Sequence, residues 1–376
     1  MPVARRGDGY SAKLSEVHAR VNEPTSPACG AFGTCGGCLL QHAPEDLYRA
    51  WKTALVSEAL SRRGFEAPSV RPMQSFPLGT RRRATFRGIR DGGRFRLGFN
   101  RRMSDRVVAL ESCPLLTPAL NELLARSTDM PGRPGRVIAT DVEGGLDIIL
   151  ELAEVPDLGL REDLAAFAEQ LDVARLSWQP AGEAPEPLSL RREPVVRFAE
   201  VPVSFPPGGF LQPSIAGEQC LTEAVLNAVE GTDHVADLFG GLGTFTFALA
   251  RDRRVHLAEV DAAAVAAAQR AAGQAGLGGR IEAERRDLDQ RPLSAKELDR
   301  FDAVVFDPPR AGAAAQAAEI AASKTLCKVI AVSCNPATFA RDARSLCDGG
   351  FRLTEVTPVD QFPWSAHLEI VGIFAR

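Results

Sequence analysis

HVADLFGGLGTF, residues 234–245, joins an apolar run to a glycine-rich turn and decides the fold. The run His234–Phe239 suits a buried strand, and the glycines after it let the backbone turn tightly into a helix. Similar runs follow at Arg254–Val260, Ala303–Asp307 and Val329–Ser333, separated by alanine-rich helical stretches. Strands that alternate with helices are typical of a doubly wound, mostly parallel sheet. The sequence therefore predicts an α/β fold in its C-terminal half.

The glycine turn and the strand after it predict a nucleoside-binding site. Gly241 and Gly243 allow a ligand to approach the backbone closely, and the next helix directs N–H groups toward it. Glu259 closes the following strand, where an acid can accept hydrogen bonds from ribose hydroxyls. No P-loop lysine is present, which argues against a nucleoside triphosphate. We expect a nucleoside cofactor here rather than a purely structural turn.

Two further strand ends carry reactive side chains. Asp307 is followed by two prolines that fix the backbone as it leaves the sheet; a helix-capping turn is the alternative. Cys334 precedes Asn335-Pro336, which suit the N-cap and the first position of a helix. Helix N–H groups that face the sulfur would favour thiolate, so Cys334 is a candidate nucleophile; an inert buried cysteine is the alternative.

A carboxylate lies close to the C-terminus. Glu369 follows His367-Leu368 and precedes the apolar segment Ile370–Phe374, which we expect to form a terminal strand. Glu369 could act as a general base if its neighbours raise its pKa toward neutrality. A surface glutamate without a role is the alternative.

Four cysteines predict a metal centre. Cys29, Cys35 and Cys38 share one glycine-rich loop, and Cys113 follows after 74 further residues. Four thiolates suit either a tetrahedral zinc ion or an iron–sulfur cluster. A second C-x2-C pair would favour zinc, whereas three clustered cysteines and one distant cysteine favour [4Fe-4S]. Free thiols are the remaining alternative, and the lack of an apolar leader argues against disulfides.

Positive charge is concentrated in one segment. The net charge of the chain is −4, yet residues 81–106 hold ten arginines, no lysine and two aspartates. The arginines are Arg81, Arg82, Arg83, Arg87, Arg90, Arg94, Arg96, Arg101, Arg102 and Arg106. Arginine binds phosphate bidentately and stacks on bases, whereas lysine would suffice for solubility. The segment is therefore predicted to contact RNA, with a solvated hairpin face as the alternative.

The chain divides into three predicted regions. Residues 1–28 are polar and too short for a domain, so we expect an N-terminal stub. Residues 29–205 hold the cysteine loop, a helix after Pro44, and short strands with hairpins at the glycine pairs 92–93 and 144–145. A cluster of proline and glycine opens the α/β domain, residues 206–376. No long apolar stretch predicts a membrane span, and we expect a cytoplasmic protein.

Together these motifs resemble the RNA uracil-C5 methyltransferase family, the S-adenosylmethionine-dependent enzymes that make 5-methyluridine. The resemblance spans Cys29 to the C-terminus and rests on six motifs in order: C-x5-C-x2-C, Phe210-Leu211-Gln212, DLFGGLG, DPPRAG, SCNPAT and H-x-E. It implies a C-terminal Rossmann-like methyltransferase domain and a smaller β-rich central domain with a four-cysteine iron–sulfur site. Many relatives carry an N-terminal RNA-binding β-barrel, for which residues 1–28 are too short.

The resemblance also implies roles for individual residues. Cys334 matches the nucleophile and Glu369 the proton-abstracting base. The positions that line the methyl-donor site are Gln212, Phe239, Thr244, Glu259, Asp287 and Asp307. The ligands of the cluster are Cys29, Cys35, Cys38 and Cys113.

The implied reaction is methylation of C5 of a uridine in 23S rRNA through a covalent adduct between Cys334 and C6. The cluster favours rRNA, since tRNA-directed relatives generally lack it; tRNA is the alternative substrate. A non-catalytic iron–sulfur RNA-binding protein is the alternative of another class. The implied cofactors are S-adenosylmethionine and a [4Fe-4S] cluster, and the implied partner is RNA. Neither a membrane nor an obligate protein partner is expected.

Overall fold

The computed structural model describes residues 2–6, 9–12, 24–66, 68–180 and 182–376. The chain begins with the antiparallel pair β1 (Pro2–Arg6) and β2 (Gly9–Ala12), followed by α1 (Glu45–Ser61) and β3 (Gln74–Ser75). The stub predicted for residues 1–28 lies partly outside the described residues. Among the helices that are described, none is both long and apolar enough to cross a membrane.

The first large sheet has seven strands, in the order β10-β9-β8-β7-β4-β5-β6. They are β4 (Arg83–Asp91), β5 (Arg94–Asn100), β6 (Val107–Ala109), β7 (Arg136–Val142), β8 (Gly145–Glu151), β9 (Arg175–Trp178) and β10 (Glu186–Leu190). The predicted hairpins are present as β4–β5 and β7–β8. Gly92 and Gly93 have φ of 55° and 80°, a backbone region that glycine enters at little cost.

Helices cover one face of this sheet. α2 (Pro118–Ala125) and α3 (Leu158–Gln170) pack on the side chains that alternate inward along the strands. Phe86, Leu97 and Ile148 are fully buried there with Leu120 and Leu164 of the helices. Burial of a side chain of this size contributes about 1.5–3 kcal/mol. This alternation of buried and exposed residues explains why the region is readable from sequence as β-rich.

A short hairpin, β11 (Val195–Phe198) and β12 (Val201–Ser204), leads to the second large sheet. That sheet has eight strands, in the order β15-β14-β13-β16-β17-β19-β18-β3. Its new strands are β13 (His234–Leu238), β14 (Arg254–Glu259), β15 (Ile281–Arg285), β16 (Ala303–Phe306), β17 (Lys328–Ser333), β18 (Arg352–Asp360) and β19 (Glu369–Ala375). The four strands predicted from apolar runs are all present.

The strand directions create a binding edge. β15, β14, β13, β16 and β17 are parallel, while β19 runs antiparallel between β17 and β18. From β13 the chain moves outward to β14 and β15, and from β16 it moves the other way to β17. Open α/β sheets bind ligands at the carboxyl ends of strands where the order reverses in this way.

Six more helices complete the α/β part. They are α4 (Ile215–Ala228), α5 (Thr246–Leu249), α6 (Ala262–Gln274), α7 (Ala295–Leu298), α8 (Ala314–Ala322) and α9 (Pro336–Asp348). α4 and α6 bury residues such as Leu221 and Ala268 on one face of the sheet. α8 and α9 bury Ile320 and Phe339 on the other face. The sheet is thus covered on both sides, as a doubly wound fold requires.

α1 and β3 precede the seven-stranded sheet in sequence but pack with the eight-stranded one. Val56 and Leu60 of α1 join the core formed by α8, α9 and the sheet. β3 pairs in parallel with the end of β18, where Gln74 lies opposite Val359. The division into regions 29–205 and 206–376 stays a prediction, and these contacts cross it.

Candidate active site

Four strand ends of the eight-stranded sheet carry residues predicted from the motifs. β13 ends just before Phe239, β14 ends at Glu259, β16 ends just before Asp307, and β17 ends just before Cys334. Because these strands are parallel and adjacent, their carboxyl ends meet at one edge. The fold alone therefore brings four separate motifs together.

Glu369 reaches the same edge from the opposite direction. It is the first residue of β19, which runs antiparallel to β17. Ser333 of β17 lies opposite Ile370 of β19, so the residues that flank this pair, Cys334 and Glu369, are neighbours. Strand pairing thus brings Cys334 and Glu369 together, although they are 35 positions apart in the sequence.

The glycine turn after β13 has the backbone conformation that its sequence suggests. Gly241 and Gly243 have φ of 55° and 96°, and Phe239 also has a positive φ of 58°. A Cβ added to Gly243 would lie 2.7 Å from the ring of Phe247, so no other residue fits without a shift. Strain at Phe239, a residue that rarely adopts this region, is typical of functional turns.

Glu259 holds this turn in place. Its Oε2 accepts a hydrogen bond from the N–H of Gly241 at 3.0 Å, and its Oε1 accepts one from Asp261 at 2.8 Å. On the same wall, Oδ1 of Asp287 accepts hydrogen bonds from the N–H groups of Asp289 and Gln290. Both carboxylates are thus oriented by backbone donors before any ligand is bound.

The strand ends and loops enclose a cavity of about 470 Å³. All eight residues predicted for catalysis and donor binding line it: Gln212, Phe239, Thr244, Glu259, Asp287, Asp307, Cys334 and Glu369. Phe210 and Arg310 also line it. The volume is within the range of small-molecule sites, about 300–1,000 Å³. The structure thus places the predicted residues in one cavity.

Gln212 is held by the seven-stranded sheet and contacts Asp307. The Nε–H of Arg82 donates to the Gln212 carbonyl oxygen at 3.0 Å, and Arg82 forms a buried ion pair with Glu218 at 2.5 Å. Nη1 of Arg83 donates to the carbonyl oxygen of Leu211 at 2.9 Å. The amide Nε2 of Gln212 donates to Oδ2 of Asp307 at 2.9 Å. The start of β4 therefore fixes the Gln212 segment at the cavity wall.

The two acids beside the cysteine are shifted toward their protonated forms. Burial, and then the charge of Asp237, raises the pKa of Asp307 from 3.8 to about 7. Burial, and then the charge of Asp307, raises the pKa of Glu369 well above 4.5. Oε2 of Glu369 is buried and has no hydrogen-bond partner among the described residues. A carboxylate with a raised pKa and a free oxygen can accept a proton from a bound substrate.

Cys334 has the predicted local structure but not the predicted charge. Asn335 caps α9 by accepting a hydrogen bond from Ala337 at 3.1 Å, and Pro336 occupies the first helical position. The expectation of a thiolate is nevertheless wrong for the free site, where the pKa of Cys334 is raised from 9.0 to about 11. Burial is the largest cause, followed by the charges of Glu369 and Asp307, and Arg310 opposes them only in part.

Two residues of the site were not predicted. Arg310 lines the cavity and lowers the pKa of Cys334, against the effect of the acids. Its place directly after Asp307-Pro308-Pro309 is a signal that could have identified it. Gln361 lies behind the cavity wall and donates from Nε2 to Oε1 of Gln212 at 2.9 Å. No local pattern marks Gln361, since its contact depends on how β18 packs beside α4.

The four predicted cluster cysteines lie within electrostatic range of one another. Burial, and then the effects of Cys113, Cys35 and Cys29, raises the pKa of Cys38 to about 11. Gly36 packs so closely on the β5–β6 turn that an added Cβ would lie 2.8 Å from two backbone atoms. Among the described residues, however, no group of three or more ligand side chains is arranged to hold a metal ion. Four cysteine thiols are chemically suited to bind a metal centre, but among the described residues they are not arranged as a coordination site.

The arginine segment divides into two groups. Six arginines are exposed: Arg87, Arg90, Arg94, Arg101, Arg102 and Arg106. Of the others, Arg96 pairs with Glu111, while Arg81, Arg82 and Arg83 donate to carbonyl oxygens of the protein. The guanidinium of Arg83 also stacks 4.7 Å from the ring centre of Phe210, which is 62% exposed. The surface available to a phosphate backbone is therefore smaller than the sequence count of ten suggests.

The chain is similar in sequence to known RNA methyltransferases. The sequence model of the family described as tRNA (Uracil-5-)-methyltransferase matches residues 196–376. An uncharacterized RNA methyltransferase of Caulobacter vibrioides is 42% identical, over 100% of this chain and 92% of that protein. The 23S rRNA (uracil(1939)-C(5))-methyltransferase of Chromohalobacter salexigens is 33% identical, over 97% of this chain and 79% of that protein.

A solved structure has the same fold. The tRNA (uracil-54, C5)-methyltransferase of Pyrococcus abyssi, in complex with S-adenosyl-L-homocysteine, superposes with a TM-score of 0.72. The match covers 92% of this chain and 86% of that chain at 23% identity, which shows a shared α/β methyltransferase fold. The relatives at 42% and 33% identity, which match nearly the whole of this chain, and the family model show that the chain belongs to the RNA (uracil-C5)-methyltransferase family.

Proposed function

We propose that this enzyme transfers a methyl group from S-adenosylmethionine to C5 of a uridine in 23S rRNA. The observation that carries the proposal is the convergence of Cys334, Glu369 and Asp307 on one cavity beside the glycine turn. Uracil C5 is a poor nucleophile, so a thiol that can add to C6 is the group the chemistry needs. The carboxylate of Glu369, next to that thiol, is suited to take the C5 proton.

The donor would lie between the glycine turn and the two oriented acids. Glu259 and Asp287 stand at the ends of adjacent strands, where acids accept hydrogen bonds from a nucleoside. Phe239 and Thr244 complete that wall, and Gln212, which is hydrogen-bonded to Asp307, adjoins it. When bound, the donor supplies a methyl group on a positively charged sulfur.

In the proposed reaction Sγ of Cys334 forms a bond to C6, and the electron pair of the C5–C6 double bond moves to C5. C5 would then form its bond to the methyl group while the bond between that methyl group and the donor sulfur breaks, and the donor would leave as a neutral thioether that keeps the electron pair of the broken bond. Glu369 removes the C5 proton, the C5–C6 double bond re-forms, and Sγ leaves with the electron pair of its bond to C6. The uridine must leave its stack to reach the cavity, at a cost of a few kcal/mol that contacts in the pocket offset.

Ionisation of Cys334 is part of the same cycle. In the free site the thiol keeps its proton near neutral pH, because its pKa is about 11. A positive charge in the cavity favours the thiolate, whereas the carboxylates disfavour it. The nucleophile is therefore expected to ionise after the cavity fills. This order protects the thiol of the free enzyme from side reactions.

Support for rRNA as the substrate comes from the relative at 33% identity, which is named for 23S rRNA. The tRNA enzyme of similar structure shows the fold alone at 23% identity. Incubation with labelled S-adenosylmethionine and separate 23S rRNA and tRNA transcripts distinguishes the two. Incorporation into the rRNA transcript is expected. Incorporation into tRNA alone would overturn the choice of substrate, and none into either would leave only the RNA-binding alternative.

The covalent step has its own test. Wild-type enzyme should form an adduct with rRNA containing 5-fluorouridine that survives denaturing electrophoresis. The fluorine replaces the C5 proton that the base would remove, so Cys334 cannot be eliminated from C6. Cys334→Ala should form none and should lose turnover. Cys327→Ala, which changes an exposed cysteine far from the cavity, is the matched control. An adduct that persists in Cys334→Ala would mean that another residue is the nucleophile.

We also propose that Cys29, Cys35, Cys38 and Cys113 hold a [4Fe-4S] cluster. Three come from one loop, and the effect of each thiol on the pKa of its neighbours reflects their proximity. Four protein ligands would close the cluster, so its role would be to tie the cysteine loop to the segment between β6 and α2 that carries Cys113. Anaerobic purification should give brown protein with about four irons per chain. Stoichiometric zinc would refute the proposal.

A further inference from the structure

Behind the cavity wall, three side chains form a continuous hydrogen-bonded series. Nε2 of Gln361 donates to Oε1 of Gln212 at 2.9 Å. Nε2 of Gln212 in turn donates to Oδ2 of Asp307 at 2.9 Å. Gln361 is 4% exposed and follows directly on the end of β18, whereas Asp307 and Gln212 both line the cavity. The series therefore connects a buried residue, which cannot reach a substrate, to two residues that can.

The direction of these hydrogen bonds follows from the donor and acceptor groups. An ionised Asp307 can only accept, so Gln212 must turn its NH2 group toward it. That places the carbonyl end of Gln212 toward Gln361, which must then present its own NH2 group. A residue without a donor at position 361 would leave the Gln212 carbonyl buried and unpaired, and one with only acceptors would repel it.

The space for Gln361 is provided by a glycine inside a helix. Gly217 lies in the first turn of α4, and a Cβ at this position would lie 2.3 Å from Oε1 of Gln361. Glycine within a helix costs roughly 0.5–1 kcal/mol relative to alanine. Oε1 of Gln361 has no hydrogen-bond partner in the described part of the chain. Gln361 therefore requires a glycine within α4 and leaves one of its own oxygens unpaired, and both features cost stability. Its presence points to a role other than packing.

We propose that Gln361 is a positioning residue that fixes the amide of Gln212 for recognition of uracil; this rests on the proposed function. With one N–H of Gln212 bound to Asp307, its second N–H stays free to donate, and the second oxygen of Asp307 stays free to accept. A donor beside an acceptor is complementary to O4 and N3–H of uracil. Cytosine presents the opposite pattern at those positions, so a fixed Gln212 would reject it.

Three variants test the proposal. Gln361→Glu keeps the shape beside Gly217 but offers only acceptors, so Gln212 must turn its NH2 group away from Asp307. Gln361→Met keeps the length and removes both polar groups. Gln219→Glu places the same new carboxylate on the exposed side of α4, outside the series. Thermal unfolding of each variant checks that it is folded, and kcat and KM are measured with the RNA transcript that the wild type methylates.

We expect kcat/KM to fall about 10- to 100-fold in Gln361→Glu, less in Gln361→Met, and not in Gln219→Glu. The loss in Gln361→Glu should be smaller near pH 6 than near pH 8.5, because a protonated Asp307 can donate to the turned carbonyl of Gln212. The other titratable groups facing Asp307 are Asp237, Cys334 and Glu369, and they are unchanged in all three variants. The carboxyl introduced by Gln361→Glu is buried and titrates too, so thermal unfolding is measured at both pH values: a merely structural role would lower the melting temperature in parallel with kcat/KM, whereas a positioning role would lower kcat/KM alone.

The outcomes separate the two proposals. If the wild type methylates the transcript and Gln361→Glu stays within about twofold of it at both pH values, the positioning role is wrong. Equal losses in Gln361→Glu and Gln361→Met, with no dependence on pH, would also overturn it in favour of packing. If the wild type itself transfers no methyl group to either transcript, the proposed function fails, and the adduct with 5-fluorouridine RNA shows whether Cys334 still reacts.

Discussion

Burial, rather than the helix that follows it, sets the charge of Cys334. The N-cap, the proline and the helix start are all present as the local sequence predicts. Yet burial of the sulfur, and then the charges of Glu369 and Asp307, which reach it from other strands, raise its pKa to about 11. Local motifs predict local geometry well, because capping depends on a few adjacent residues. The pKa depends on residues brought together by the whole sheet, which no local motif reports.

Replacing Glu369 should therefore make Cys334 more reactive in the free enzyme. Glu369→Gln removes a charge that raises the pKa of the thiol, so more thiolate is present at a given pH below about 11. We expect alkylation of Cys334 by iodoacetamide near pH 9 to become roughly threefold to tenfold faster, as followed by peptide mass spectrometry. Exposed Cys327 is the internal reference. An unchanged or slower rate at Cys334 would show that Glu369 does not act on the thiol through its charge.

Asp237 should make the stability of the protein depend on pH. Its carboxyl is fully buried, and burial raises its pKa from 3.8 to about 7. The folded state therefore binds the proton of Asp237 more tightly than the unfolded state does. This proton contributes fully to the free energy of unfolding below about pH 4, and its contribution is lost as the pH rises through about 7. Asp237→Asn keeps an acceptor for the hydroxyl of Thr246, which donates at 2.6 Å, and removes the titration.

We expect Asp237→Asn to raise the free energy of unfolding at pH 8 by an amount on the order of 2 kcal/mol. At pH 4 the variant and the wild type should differ little, because both side chains are then neutral. Urea unfolding at the two pH values gives the comparison. A variant that is equally destabilised at both would mean that Asp237 is held in its ionised form by the native structure.

At the scale of elements, the connection between β18 and β19 is held by α1. Lys52 is fully buried and forms an ion pair with Asp360, the last residue of β18. Its Nζ also donates to the carbonyl oxygens of Phe362 at 2.9 Å and His367 at 2.8 Å. The hydroxyl of Tyr48 donates to Asp360 at 2.5 Å and accepts from the N–H of Trp364 at 2.9 Å. α1 thus fixes the segment that ends at Glu369.

Removing this lysine should loosen the connection. Lys52→Met leaves the carboxylate of Asp360 buried with less compensation, and we expect a loss of roughly 3–5 kcal/mol in the free energy of unfolding. Backbone hydrogen exchange in residues 361–368 should rise more than elsewhere, because two carbonyl anchors are lost. The control is Lys324→Met, an exposed lysine, which should change stability by about 0.5 kcal/mol or less. Equal effects of the two substitutions would refute the anchoring role.

Helices and strands that depend on nearby residues could be predicted from the sequence, whereas the placement of elements that depend on distant residues could not. Four parallel strands are mostly apolar because both faces of the sheet are covered, and such segments can be recognised in the sequence; they are β13, β14, β16 and β17. The direction of β19 and its place between β17 and β18 are not, since its partner β17 is separated from it in the sequence by α9 and β18. The same holds for α1, whose contacts with α9 join residues nearly 300 positions apart. Consequently the motif residues of the site were predicted, while the residues that position them were not.

At the scale of the whole molecule, the two large sheets are joined at the active site. Arg82 and Arg83 at the start of β4 bind the Gln212 segment, and Arg83 stacks on Phe210 at the cavity. The arginine-rich strands therefore begin where the cavity opens. An RNA strand that enters the cavity would find the exposed arginines of the same sheet along its flanks, in agreement with the proposed substrate.

The salt dependence of RNA binding tests this arrangement. Arg87, Arg94 and Arg101 are exposed and, unlike Arg96 of the same segment, make no ion pair in the described structure. If each neutralises one phosphate of a single strand, replacing all three by alanine should weaken binding and reduce the slope of log K against log salt by about 2. Arg63, Arg270 and Arg352 are also exposed but lie just after α1, on α6 and on β18, so the same triple replacement there should leave the slope unchanged. A slope that fell equally in both variants would mean that exposed arginines contribute alike wherever they lie on the surface, and it would refute a specific role of the arginine strands.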